Sequence, residues 1–188
     1  MTEQRPLQQV PPHASRGEYP LIDSDPHIKR VFTYARKSDY VAGAGMASLA
    51  PTLLYVSERI SPSRVPRGGF APIMRLTCAI GFSAGFFTVY SLSSQRFYGM
   101  RENTREVDMD MKEMVAKVKN GEPLYGTSSM SEYMQGMAAR NSRYSAVFAH
   151  ILPWFNFVNH NQHGVDTAKY YQQAERELAA EGAGKREG

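Results

Sequence analysis

No charged residue occurs between Tyr40 and Ser57, and none occurs between Leu76 and Gln95. As helices, these stretches of 18 and 20 residues reach roughly 27–30 Å at about 1.5 Å per residue, the depth of a hydrocarbon core. The segment 58–75 that joins them is rich in Pro, Gly and Arg. The chain as a whole averages polar, yet two windows of this length and character dominate what it can fold into. They predict an all-α membrane protein with a two-helix transmembrane hairpin, an extended N-terminal segment and an irregular, partly helical C-terminal region. The competing arrangement is a pair of buried helices in a soluble bundle. It lacks amphipathic partner helices of matching length to bury them.

The expected organisation follows from these windows. Residues 1–18 form a disordered or extended N-terminus punctuated by Pro6, Pro11, Pro12 and Gly17, and residues 19–39 a juxtamembrane segment. Residues 40–95 form the hairpin, with spans at about 40–57 and 76–95. Residues 96–181 form a helical and irregular docking region, and 182–188 a fraying tail. The N-terminus has no apolar stretch of a secretory signal and no Arg-rich amphipathic presequence, so membrane targeting is expected to reside in the hairpin. Asp23 or Ser24 is a candidate cap for a short helix with Pro26 near its first turn. Ser38 is a candidate cap for the first span, with Asp39 favoured by the helix dipole.

Small residues set the character of both spans. Gly43 and Ala47 stand four apart, as do Ala44 and Ser48, and Gly81 and Gly85 form a GxxxG pair flanked by Phe82, Phe86 and Phe87. Such side chains let another backbone approach closely, so the helices look built to dock on protein. Pro51 removes a hydrogen bond and is expected to kink the first span, while Tyr40 and Tyr55 lie where interfacial aromatics sit. Arg75 and Arg96 bracket the second span and are positioned to snorkel to the interfaces. Lys29, Arg30, Arg36, Lys37, Arg96, Arg101, Arg105 and Lys112 flank the termini side. Arg59, Arg64, Arg67 and Arg75 lie in the turn. The excess leans towards termini on the positive side.

Beyond the hairpin, residues 102–119 read as an amphipathic helix with Val107, Met111, Met114, Val115 and Val118 on one face. Ser129 or Ser131 is placed to cap a short helix, SEYMQGMAAR. A third uncharged run, Tyr144 to Val165, holds the single Trp154 but is broken by Pro153 and by Asn, Gln and His. It suits an interfacial or partner-docked segment better than a span, with Trp154, Phe155 and Phe157 at headgroup level or in a protein groove. Asp166 caps a final polar helix.

The inventory for chemistry is thin. A net charge of +4, spread along the chain, does not make a nucleic-acid surface. The single cysteine, Cys78, excludes an intramolecular disulfide and Cys-ligated clusters, and reads as a small buried hydrophobe. His150, His160 and His163 gather near one another in sequence, but a membrane di-iron site needs more ligands than five histidines supply. They are expected on the surface or bonded to a partner. The pairs Asp23/Asp25 and Asp108/Asp110 diverge on a helix and share a face only in an extended segment. No nucleophile–base–orienter set accompanies them. Phosphate-cradling and dinucleotide glycine fingerprints are absent, and no charge inside either span marks an ion path. The expectation is no catalytic, cofactor-binding or metal-binding residue, no cofactor, no nucleic acid and no small-molecule substrate.

The string YPLIDSDPHIKRV (19–31), then RKSDY (36–40) and the small-residue hairpin, resembles the fungal-type 21 kDa accessory-subunit family of mitochondrial NADH:ubiquinone oxidoreductase, respiratory complex I. The stretch SRYSAVFAHILPWFNFVNHNQHGVDTAKYY resembles the C-terminal region of its fungal members, so the likeness covers roughly residues 18–175. It implies a non-catalytic accessory subunit of the membrane arm in the mitochondrial inner membrane, crossing it twice. It also implies other membrane-arm subunits and inner-membrane phospholipids as partners, and a contribution to assembly or stability. The flavin, iron–sulfur and quinone chemistry would belong to other subunits. Two alternatives stand beside it: a membrane-shaping or translocation component that oligomerises through Gly81 and Gly85, and a small membrane enzyme using the histidine cluster.

Overall fold

The computed structural model describes residues 17–63, 66, 68–141 and 155–184. Among them lie six helices: α1 (Ile28–Tyr34), α2 (Lys37–Ile60), α3 (Phe70–Phe97), α4 (Thr104–Lys119), α5 (Glu132–Arg140) and α6 (Ala168–Gly184). No strand occurs among the described residues; the only extended pairing is a single parallel bridge between His27 and Asn156. His150, Trp154 and the first half of the third uncharged run fall outside the described residues, as do residues 1–16. The chain divides into two compact units, residues 29–95 and the remainder.

In the first unit, α2 and α3 are longer than the uncharged windows, and the joining turn shrinks to the residues between Ile60 and Phe70. The start of α2 differs from the expectation. Its cap is Arg36, not Ser38, and Asp39 at the third helical position accepts from the Arg36 backbone N–H at 2.8 Å. A carboxylate there satisfies a backbone donor that would otherwise be orphaned and suits the positive helix end. The helix continues through Pro51 to Ile60.

The small residues meet inside this hairpin. A Cβ built on Gly85 would lie 2.5 Å from the Gly43 carbonyl oxygen and 2.8 Å from the Ala47 Cβ, and one on Gly81 would collide with the Ala47 carbonyl oxygen. The GxxxG pair is thus a close helix contact, and its partner is the Gly43/Ala47 face of the same chain. The large apolar side chains point the other way. Only 6% of the most apolar stretch of α2 and 11% of that of α3 is buried, where core helices of a soluble bundle would be mostly covered. Val41, Leu53, Leu76, Ile80 and Phe82 are all more than half exposed, and so is the face that carries Cys78, contrary to the buried thiol expected. The hydroxyls of Ser48, Ser57, Thr77, Ser83 and Thr88 donate to carbonyls of their own helices. Those polar groups are therefore satisfied without outside partners.

The same antiparallel register, Gly43 against Gly85 and Ala47 against Gly81, puts Arg75 level with Leu53 and Cys78 level with Ala50. It carries the last turn of the second uncharged window past the start of α2, and α1 packs against this end of α3. Phe32 packs on Phe86 and Tyr90, with ring centroids 5.2 and 6.1 Å apart, and Ser93 Oγ donates to the Val31 carbonyl at 2.6 Å. Val31, Val89, Tyr90, Ser93 and Ser94 are buried there.

The second unit is built on α4 and α6. Met114, Leu124 and Tyr170 form its core, with Met111, Val118 and Tyr125 packed around it. The apolar face expected on α4 is present, but Glu106 and Asp110 lie buried beside it, which the apolar periodicity did not indicate. Asp110 accepts a 2.5 Å bond from the Tyr170 hydroxyl, while Asp108 is exposed. Ser131 caps α5, its Oγ accepting a long 3.5 Å bond from Met134 N–H. Asp166 accepts from Ala168 N–H at 2.9 Å at the start of α6. Arg96, expected to snorkel, is instead buried.

Candidate functional site

Among the described residues, a concentration of buried ionisable side chains outside the α4–α6 core joins two segments that are far apart in sequence, 19–28 and 155–163. Segment 19–28 is not helical before Ile28, so neither Asp23 nor Ser24 caps α1 as expected. The Asp25 backbone N–H donates to Asp23 Oδ1 at 2.9 Å, a local turn that brings both carboxylates onto one side.

Each carboxylate meets one histidine. His163 Nδ1 lies 2.7 Å from Asp23 Oδ1, and His160 Nε2 lies 3.0 Å from Asp25 Oδ2. The two imidazoles stack on one another with centroids 4.4 Å apart, and the Tyr125 ring stacks on His163 at 3.6 Å. Asp23, His160 and His163 are almost fully buried. The histidines expected at the surface or on a partner are therefore internal, held by carboxylates of their own chain. His150 of the same sequence cluster lies outside the described residues.

Backbone bonds fix the two segments around this knot. Ser24 N–H donates to the His163 carbonyl at 3.0 Å and Ile28 N–H to the Asn156 carbonyl at 2.9 Å. Asn156 Nδ2 donates to the Asp25 carbonyl at 3.0 Å, and its Oδ1 accepts from Val158 N–H at 2.9 Å. On the other side of the segment, Ile22 and Asp23 N–H both donate to the Phe97 carbonyl at 2.9 and 3.2 Å. Asn103 Nδ2 donates to the Pro20 and Arg96 carbonyls, each at 2.8 Å. Gly99 adopts a positive φ of 70°, and a Cβ there would run into the Tyr19 carbonyl oxygen, so the tight turn after α3 admits the segment only as glycine.

The arrangement suits holding better than reaction. Both imidazoles have their nitrogens committed to neighbours. Among the described residues no group of three or more His, Cys, Asp or Glu is disposed to hold a metal ion. The opening between α4 and α6, lined by Met111, Lys112, Val115, Ala116, Lys119 and Glu177, is about 180 Å³, below the few hundred Å³ usual for a small-molecule site. At its rim Lys119 bridges Glu177 and Glu181, each at 2.8 Å. The bonds to these carboxylates raise the Lys119 ammonium above its ordinary range, and the bond from Lys119 lowers Glu177.

Residues 16–102 match the family model described as the NADH-ubiquinone oxidoreductase complex I 21 kDa subunit. Residues 111–186 match the C-terminal region of the same subunit. The chain is 64% identical to the NADH-ubiquinone oxidoreductase 20.9 kDa subunit of Neurospora crassa over 167 residues, covering 89% of this chain and 88% of that protein. The first match holds Asp23, Asp25 and the hairpin, and the second holds His160 and His163, so the knot ties the two matched regions together. This chain belongs to the complex I 21 kDa subunit family of NADH-ubiquinone oxidoreductase.

Proposed function

We propose that the chain is a non-catalytic accessory subunit of the membrane arm of mitochondrial complex I. In this reading α2 and α3 cross the inner membrane, and the chain contributes to assembly or stability by packing against neighbouring membrane-arm subunits and phospholipids. The observation that carries the reading is the inside-out hairpin. Gly43, Ala47, Gly81 and Gly85 face inward while Val41, Leu53, Leu76 and Phe82 face outward. In water that outer surface would be an aggregation liability; in hydrocarbon it is the favoured one.

The register supports a shared apolar layer of residues 40–57 and 71–88, roughly 27 Å deep at about 1.5 Å per residue. Arg75 then sits about 6 Å inside its edge by the same rise, within reach of the interface for a snorkelling guanidinium. Comigration tests the assignment: the polypeptide should run with NADH dehydrogenase activity on a native gel of solubilised mitochondrial membranes. Its deletion should lower the amount of assembled complex more than the turnover of what remains. Migration elsewhere, or release of the chain by alkaline carbonate, would contradict it.

A further inference from the structure

A single charged side chain lies inside the shared apolar layer of residues 40–57 and 71–88, and it is Arg75. It stands four residues in from the edge at Ala71, about 6 Å at the helical rise. Arg75 is exposed, and its neighbours one turn away on α3 are Ala71, Pro72, Cys78 and Ala79, all uncharged and all exposed. Across the hairpin it is level with Leu53. The carboxylate of α2 nearest in level, Glu58, lies beyond the edge, level with Phe70. Both Glu58 oxygens are taken up by Ser63, through its backbone N–H at 3.0 Å and its hydroxyl at 2.7 Å. Among the described residues Arg75 has no hydrogen bond and no ion pair.

An uncompensated guanidinium in an apolar layer is costly, and it stays charged at any ordinary pH. Its long stem lets it reach the edge, where the anion that a bilayer supplies is phospholipid phosphate. Guanidinium and phosphate form bidentate, charge-assisted pairs, the geometry that Arg favours. The residues inward of Arg75 add a second part. Ala79 and Phe82 follow it at i+4 and i+7, so they continue the same strip of α3 towards the middle of the layer. Phe82 is 72% exposed and sits about 16 Å from the edge, the depth of roughly one leaflet. Ala79 is the smallest of the three, so a hydrocarbon chain lies closest to the helix between the two larger side chains.

We propose that Arg75, Ala79 and Phe82 form a phospholipid site on the outer face of α3. Arg75 pairs with the phosphate at the edge of the layer, and an acyl chain runs inward over Ala79 against Phe82. The site rests on the reading of α2 and α3 as membrane spans. An anionic phospholipid fits it better than a zwitterionic one, because the cation of a zwitterionic headgroup competes with Arg75 for the phosphate.

The test is native mass spectrometry of the full-length chain released from detergent micelles and titrated with dioleoyl phosphatidylglycerol. Dioleoylglycerol supplies the same chains without phosphate, and inorganic phosphate supplies the anion without chains. The wild type should hold phosphatidylglycerol about tenfold more tightly than dioleoylglycerol, the difference made by a charge-assisted pair. Millimolar inorganic phosphate should not displace it. Arg75→Gln should weaken phosphatidylglycerol about tenfold and leave dioleoylglycerol unchanged. Arg75→Lys should keep part of the affinity, since a point charge replaces the bidentate fork. Ala79→Phe, which crowds the path of the chain, should weaken both lipids. Equal retention of phosphatidylglycerol by the wild type and Arg75→Gln would overturn the site, and so would displacement by inorganic phosphate or unchanged retention by Ala79→Phe. Arg75 has no bond to lose, so Arg75→Gln should keep the wild-type helical circular dichroism. Failure of the spans reads out separately. Release of the wild type by alkaline carbonate would remove the spans and the site together, whereas carbonate resistance with equal lipid retention would remove the site alone.

Discussion

The hairpin, residues 29–95, and the unit made by the rest of the chain are held by opposite means. Where α2 meets α3 over residues 40–57 and 71–88, backbone approaches backbone through Gly43, Ala47, Gly81 and Gly85, and bulky side chains such as Val41, Leu53, Leu76 and Phe82 face out. In the other unit bulky side chains turn in: Met114 and Tyr170 form the core, and Asp23, Glu106, Asp110, His160 and His163 are buried among bonded partners. Apolar side chains gain nothing by leaving hydrocarbon, so a membrane hairpin is stabilised by close packing of small residues. Facing water, a small unit gains from burying side chains, and a satisfied polar network fixes which segments pair. One chain thus carries the solutions for two solvents.

The contrast breaks first at Gly85. Gly85→Leu puts a branched side chain against the Gly43 carbonyl and Ala47, where backbone cannot yield. It should destabilise the hairpin by about 3 kcal/mol, the upper end for overpacking. Membrane insertion should persist because hydrophobicity rises. The measurements are the amount assembled into complex I and the fraction resistant to carbonate extraction; normal assembly would show that the Gly face is not an essential contact.

Asn103→Ala probes the other unit. It removes the donor to the Pro20 carbonyl, a half-buried bond, and to the Arg96 carbonyl, a buried one, at an expected cost of about 2 kcal/mol. Exchange protection should drop in residues 19–25 and stay unchanged in α2. Loss spread equally over both units would mean that they do not hold themselves together separately.

The smallest effect is expected at the rim of the α4–α6 opening. Glu177 is lowered by its bond to Lys119, so its contribution is present above the ordinary glutamate range and is lost as pH falls through the lowered value. Lys119 is raised by its bonds to Glu177 and Glu181, so its contribution persists below the ordinary lysine range and is lost only as pH rises through the raised value. Between those limits nothing changes with pH. Glu177→Gln should leave the thermal midpoint nearly unaltered at neutral pH, with any small loss disappearing at high salt, as for an exposed pair.

These elements differ in how plainly they are written in the sequence. The absence of charge from Tyr40 to Ser57 and from Leu76 to Gln95 marks the hairpin, because a charge deep in an apolar layer is costly. GxxxG marks a close contact at Gly81 and Gly85, but spacing says nothing of the partner, which is the Gly43/Ala47 face of the same chain. The knot is the opposite case. Asp23/Asp25 and His160/His163 are both visible as pairs, yet some 140 residues separate Asp23 from His163 and no local pattern joins them. Each pair reads as incomplete alone. Glu106 and Asp110 mislead for a related reason: a carboxylate on an amphipathic helix is taken for its wet face unless its partner, here Tyr170 for Asp110, is known.

Cys78 offers the most direct test of the hairpin's outward face. It is the only cysteine, it is exposed on α3, and the register places it level with Ala50 near the middle of the shared apolar layer. In nanodiscs containing the full-length chain, a charged water-soluble maleimide should leave Cys78 unlabelled until the lipid is dissolved and the protein denatured. A reference cysteine introduced at exposed Ser63 in the turn should react at once. Labelling of Cys78 at the rate of that reference, with the bilayer intact, would contradict a membrane-embedded hairpin.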